Sequence, residues 1–165
     1  MAPRIDVDPL LAPVRVPAEI LHELCQHALE TVPEECCGLI VGNSLERYRR
    51  LVRCQNVMAA KHEEDPREYP RGPDTAYFMS PHDYQMAQHD ADEAGEVITA
   101  VYHSHVGADL YFSEMDLAYA QQPGFPFPKA DQIVVGVFEH QVPRVAVFRR
   151  DGSAFAGHRA EPASA

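Results

Sequence analysis

The stretch Glu96-Val97-Ile98-Thr99-Ala100-Val101-Tyr102-His103-Ser104-His105, followed after seven residues by Ser113-Glu114-Met115-Asp116, decides how the rest of the chain is read. The first part reads as a strand, whose two-residue period places His103 and His105 on one face. The second part reads as a helix start, with Asp116 in the first turn. Two imidazoles and one carboxylate are thereby offered to a single ion. Two His and one Asp leave a tetrahedral zinc with an open fourth position, which marks a catalytic rather than a structural site. Each part alone has an ordinary explanation: a strand-end histidine is usually exposed or hydrogen-bonded, and Ser113 with Asp116 is a common capping box. Their conjunction on one strand and the next helix is what points to a metallohydrolase.

The order His103-x-His105-x(7)-Ser113-x-x-Asp116 resembles the signature of the JAMM (JAB/MPN+) metalloprotease family. Upstream, Pro33-Glu34-Glu35-Cys36-Cys37-Gly38 is similar to the Pro-x-Glu-x-Cys-Gly segment that carries the catalytic Glu in small prokaryotic members, and the match falls on Glu35. Phe78-Met79-Ser80-Pro81 before a helix extends the resemblance over most of residues 14–150. Two positions depart from the pattern: Val106 and Phe112 stand where the family usually has proline after the second His and often before the Ser. Neither is a ligand position, so the departure bears on the shape of the loop and on substrate preference. Asp109, within that loop, is a rival ligand; it reads as a solvated loop acid because Asp116 keeps the signature spacing.

The resemblance implies an α/β (α+β) domain in a cytidine-deaminase-like three-layer arrangement, a mixed central sheet flanked by helices. It also implies Zn2+ held by His103, His105 and Asp116, Glu35 as the acid and base, and Ser113 as a donor to the oxyanion. The implied reaction is hydrolysis of a peptide or isopeptide bond after the Gly-Gly tail of a ubiquitin-like or sulfur-carrier protein. The chemistry is coherent from the residues: zinc lowers the pKa of bound water, and a carboxylate that is not a ligand moves the proton. Glu34, adjacent to Glu35, is expected to point elsewhere, since successive strand side chains face opposite sides. The motif leaves open a small-substrate zinc amidase and a non-catalytic MPN-type interaction scaffold, because fold and metal do not name a substrate.

With 165 residues, 45% of them hydrophobic, the chain is long enough for one domain with its own core. The expected organisation is an extension over 1–13, the metallopeptidase domain over 14–158 and a flexible tail over 159–165. No run of 18 apolar residues is present and the first residues are too acidic and broken for a signal peptide, so a cytoplasmic location is expected. A net charge of −11 disfavours nucleic acid. A homodimer is left open. Arg47, Arg49, Arg50 and Arg53 form a local basic run, expected to be a strand with one solvated face, or less favourably a docking patch for an acidic partner. Cys25, Cys36, Cys37 and Cys54 lack CxxC spacing and read as free, mostly buried thiols rather than a second zinc site. His22, His27, His62, His82, His89, His140 and His158 have no partner at metal spacing.

Along the chain, Val14 to Val16 reads as a short strand, and Pro17 opens a helix to Thr31 with Ile20, Leu21, Leu24, Ala28 and Leu29 on one stripe. Cys36 to Val41 reads as a buried strand paired with Glu46 to Cys54. Residues 56–74 read as a long polar loop, disordered or flanking the cleft. Ala76 to Met79 is expected as a strand, Ser80 as the cap of the helix from Pro81, and a further helix runs from Ser113 to Pro123-Gly124. Ile133 to Phe138 and Arg144 to Phe148 are expected to close the sheet as a hairpin.

Overall fold

The computed structural model describes residues 4–152 and 154–163. In chain order its elements are β1 (Ile5–Asp6), β2 (Val14–Pro17), α1 (Ala18–Thr31), β3 (Cys37–Gly42), β4 (Arg50–Cys54), α2 (Met58–Glu64), α3 (Pro81–Glu93), β5 (Val97–Val106), β6 (Tyr111–Phe112), α4 (Glu114–Gln121), β7 (Asp131–Val137), β8 (Arg144–Asp151) and β9 (Ala154–Ala163). Seven strands form one mixed sheet in the order β2-β9-β8-β7-β5-β3-β4, while β1 and β6 make a separate two-stranded ribbon. β5 pairs antiparallel with β3 and parallel with β7. β3 and β7 are buried along their whole length, as expected of strands covered on both faces. The expected mixed sheet between helical layers is the observed fold.

Alternation along β5 sorts its side chains between two cores. Ala100 and Tyr102 pack with Ile20, Leu24 and Ala28 of α1. Val101 packs on the opposite face, with Ala87 of α3, Phe125 and Phe127. His103 and His105 share the face of Val101 by the same period, which turns them toward α4. On the α1 side, the Tyr102 hydroxyl lies 2.7 Å from Nδ1 of His27, and both side chains are buried. The ring of Tyr102 fills the space left by Gly38, where a Cβ would meet it at 2.4 Å. His27 therefore takes the place on the helix stripe that had been expected for Leu29, which is 47% exposed. The buried hydroxyl needs a polar partner, and among the described residues the histidine supplies it.

Several local expectations change. Residues 56–74 are not a continuous loop, because α2 occupies Met58–Glu64, where Ala59, Ala60, Lys61, Glu63 and Glu64 are good helix formers. Ala76 to Met79 forms a single bridge between Asn56 and Met79 rather than a ladder. Its polar backbone is taken up by a side chain: Asn56 bonds both Ala76 O and Phe78 N. The partner of β3 begins at Arg50, since Asn43 accepts from the amides of Leu45 and Glu46 and folds the lead-in as a turn. The hairpin β7–β8 is extended by β9, which pairs antiparallel with β8 and parallel with β2. The segment expected as a flexible tail is thus strand through Ala163, held because β2 needs a partner along its edge. The N-terminal extension is tied down as well, with Ile5 and Asp6 in register with Phe112 and Tyr111. Residues 1–3, 164 and 165 of these two segments lie outside the described residues.

Three arginines of the basic run brace buried carboxylates, and the fourth makes a surface pair. Arg49 and Arg50 both bond the buried Glu96, Arg47 and the Tyr48 hydroxyl bond the buried Asp131, and Arg53 pairs with Glu30. All four cysteines are free thiols, and three are buried. Among the described residues, no helix is long and apolar enough to cross a membrane.

Gly38→Ala should cost about 1–3 kcal/mol, because the added methyl overlaps the Tyr102 ring and the tyrosine cannot yield without losing His27. Urea denaturation checks it, and an unchanged midpoint would show that β3 and the Tyr102 ring are not locked at this point.

Candidate metal centre

Three elements deliver the polar residues of the site. β5 carries His103 and His105 up its α4-facing side. The capping box of α4 is complete: Ser113 Oγ accepts from Asp116 N at 3.0 Å, and Asp116 Oδ2 accepts from Ser113 N at 3.1 Å. This reciprocal pair fixes the Asp116 rotamer before any ligand arrives. The third element is the turn ahead of β3, which carries Glu35. There Cys36 N donates to Ser104 Oγ at 2.8 Å and Ser104 N donates to Cys36 O at 3.1 Å, so Glu35 is anchored at the residue between the two histidines.

The ligand atoms converge. His103 Nε2 and His105 Nε2 lie 3.1 Å apart, and Asp116 Oδ2 is 3.2 Å from the first and 3.3 Å from the second. Among the described residues this is the grouping of His, Cys, Asp and Glu side chains able to hold a metal ion. Ligands bound at about 2.0–2.1 Å around a tetrahedral ion sit about 3.3 Å from one another, so the triangle has the dimensions of one tetrahedral face. A hydrogen-bond network explains it less well. A neutral imidazole has one N–H, so three mutually close atoms would share protons that satisfy only some of the contacts. Burial alone would raise the Asp116 carboxyl, but its contacts with His103 and His105 outweigh this and hold it well below the usual carboxylate range. The residues present therefore fit a dication such as Zn2+, with the imidazoles as nitrogen donors and the ionised carboxylate as the oxygen donor.

Outer contacts set the rings. His105 Nδ1 faces the Asp109 carbonyl at 3.3 Å, the kind of contact that directs the other ring nitrogen toward a metal. His103 is fully buried, and its Nδ1 meets no polar partner among the described residues. Its ring is held instead by Tyr77, stacked at 4.5 Å between centroids and 21° between planes. Tyr77 and Ser104 were not singled out from the sequence. The Ser104 contact depends on where β3 meets β5, and Tyr77 arrives from a segment with no regular periodicity. Asp109 points its carboxylate away from the cluster, to Arg144 at 2.7 Å.

Glu35, His105, Ser113 and Asp116 line one cleft of about 460 Å3. Its walls include Tyr69, Tyr77, Phe78, Tyr111 and Tyr119, and Glu68, Arg71 and Asp74 also border it. Glu35 is 5% exposed while Glu34 is exposed to solvent, so only one of the adjacent acids enters the cleft. The reason differs from strand alternation, since both residues precede β3. Glu35 N donates to Pro73 O at 2.8 Å, which draws its backbone against the segment bordering the cleft. Burial pushes the Glu35 carboxyl up to about 9, and the negative charge of Asp116 adds to the rise.

Comparison with known proteins agrees with this architecture. The family model for prokaryotic homologues of the JAB domain matches residues 17–151. CysO-cysteine peptidases of Mycobacterium tuberculosis and Mycobacterium bovis are 25% identical over 107 residues, and the match spans 64% of this chain and 64% of their length. A solution structure of a protein from Desulfitobacterium hafniense superposes with a TM-score of 0.65 at 21% identity, covering 90% of this chain and 92% of that one. A second, from Salinibacter ruber, gives 0.55 at 22% identity over 92% of each chain. The family model thus takes in both the Glu35 turn and the His103–Asp116 cluster, and the chain belongs to the prokaryotic JAB-domain family.

Proposed function

We propose that the chain is a zinc-dependent hydrolase that cleaves a peptide or isopeptide bond after the Gly-Gly tail of a ubiquitin-like or sulfur-carrier protein. The observation that carries this reading is the triangle of His103, His105 and Asp116 beside a buried, non-ligating carboxylate in one cleft. Family membership supports a hydrolase, and the related CysO-cysteine peptidases support a carrier-type substrate. Bound zinc supplies Lewis-acid polarisation and makes water a nucleophile near neutral pH.

The chain's own residues do the rest. Glu35 takes the proton of the attacking water and passes it to the leaving amine. Burial and Asp116 favour the protonated carboxyl near neutral pH; positive charge held at the cluster would oppose both and favour the carboxylate. Ser113 donates its hydroxyl proton to the carbonyl oxygen as negative charge develops there, while its Oγ still accepts from Asp116 N. The aromatic walls exclude water and leave room for an extended tail without β-carbons, whereas a folded body stays outside.

About one zinc per chain should be found by elemental analysis of protein purified without chelator, and His103→Ala or His105→Ala should remove both metal and activity. A wild-type chain that takes up no zinc on reconstitution ends the proposal. Glu35→Gln should lower cleavage of a Gly-Gly-tailed carrier joined to a short peptide by ~10²- to 10⁴-fold with zinc retained, while Glu34→Gln stays close to wild type. Turnover of a small amide with the tailed carrier left intact would identify a small-substrate amidase instead.

The raised Glu35 carboxyl also makes a prediction for the metal-stripped protein. The folded chain holds there a proton that the unfolded chain releases above the ordinary value of 4.5, so the associated stability is full below that pH and is lost as pH rises toward about 9. Glu35→Gln removes this loss. Its metal-free form should melt above metal-free wild type at about pH 8, with the gap closing toward pH 4.5. Thermal melts in chelator across that range test the sign.

A further inference from the structure

The segment that joins β4 to α2 contains one side chain whose hydrogen-bonding capacity is completely used. Asn56 Nδ2 donates to Glu35 O at 3.0 Å and to Ala76 O at 3.2 Å, while its Oδ1 accepts from Met58 N and from Phe78 N, both at 3.0 Å. An amide has two N–H donors and an oxygen with two lone pairs, and every one is matched here. The partners also fix which way the amide points, since two are carbonyls and two are N–H groups. An ordinary asparagine turn would use only the bond to Met58, two residues ahead. The other three reach 20 to 22 residues along the chain.

We propose that Asn56 is a positioning residue for the hydrolytic reaction, holding Glu35 and the Ala76–Phe78 wall of the cleft in register with the metal cluster. The inference rests on the reading of Glu35 as the proton carrier. Glu35 is gripped on both sides of its backbone, its N–H by Pro73 O and its C=O by Asn56, while the next residue is bound to Ser104. The same amide sets the strap that carries Tyr77, whose ring lies on His103. One planar group therefore sets the spacing between the acid–base residue and the floor of the site. None of the metal ligands is on the elements it joins: His103 and His105 are on β5, and Asp116 is on α4. Loss of Asn56 should then misplace Glu35 and leave the metal in place.

The test is Asn56→Asp, which keeps both acceptor bonds but turns lone pairs toward the carbonyls of Glu35 and Ala76. Asn56→Ser is made in parallel, in case the aspartate variant does not fold. Zinc should remain at about one per chain, and kcat on the Gly-Gly-tailed fusion should fall by ~10²-fold with a smaller change in KM, the scale expected from misplacing a catalytic group by about 1 Å. In a Glu35→Gln background the same substitution should lower kcat by less than about 3-fold, because a residue that acts through another has little left to lose. Wild-type kcat in a folded Asn56 variant, loss of zinc in step with activity, or a full second loss in the Glu35→Gln background would each overturn the proposal. The two readings fail separately: an active Glu35→Gln removes the proton carrier and with it this role, whereas an inactive Glu35→Gln beside a fully active Asn56 variant removes the positioning role alone.

Discussion

The reciprocal bond between Cys36 and Ser104 is the constraint on which the site depends. Ser104 is fully buried and stands between the two histidines, so its backbone cannot move without moving both. Its amide and hydroxyl together hold the residue after Glu35, which locks the approach to β3 against the end of β5. A buried hydroxyl and a buried amide each lose heavily if unpaired, so this junction resists slippage. A one-residue shift of β3 against β5 would break both bonds and carry the Glu35 turn out of register with the histidines.

The rest of the sheet maintains that register from a distance. Two carboxylates are buried at the ends of the central strands, Glu96 just before β5 and Asp131 at the start of β7. Each is neutralised by the basic run that leads into β4, Arg49 and Arg50 at Glu96, Arg47 and Tyr48 at Asp131. Buried charge is tolerated only with such partners, so the ion pairs act less as a source of stability than as a condition on how the strands align. Thr99 adds a bond from β5 to the Arg47 carbonyl, joining the same elements. The far face is closed by Tyr102 on Gly38 and His27, which sets the distance of α1 from the sheet.

On the cleft side, the loop from Val106 to Phe112 lacks the two prolines usual at its ends, and other contacts restrain it. Asp109 pairs with Arg144, and Tyr111 and Phe112 pair with the N-terminal strand β1. Arg4 lies over the Tyr111 ring at 4.6 Å, and that ring is 4.9 Å from His105. The residues ahead of the first long helix therefore take part in shaping the cleft rather than standing apart from it.

The features legible in the sequence are those governed by short periods. Alternation put His103 and His105 on one face of β5, and the spacing of Ser113 and Asp116 is the local geometry of a helix start. Both are decided within a few residues of backbone, and the family resemblance pointed to Glu35. What the sequence could not show depends on contacts between distant segments. The separation of Glu35 from Glu34 comes from Pro73 and Ser104, the saturation of Asn56 needs carbonyls and amides twenty or more residues away, and Tyr77 stacks on His103 from an irregular segment. The C-terminal residues are strand only because β2 and β8 lie on either side of them, and Arg47, Arg49 and Arg50 are committed to internal carboxylates only because the sheet buries Glu96 and Asp131. A side chain's type and spacing determine what it is able to bind; the burial that forces it to bind, and the choice of partner, arise from the packing of segments that the chain order keeps apart.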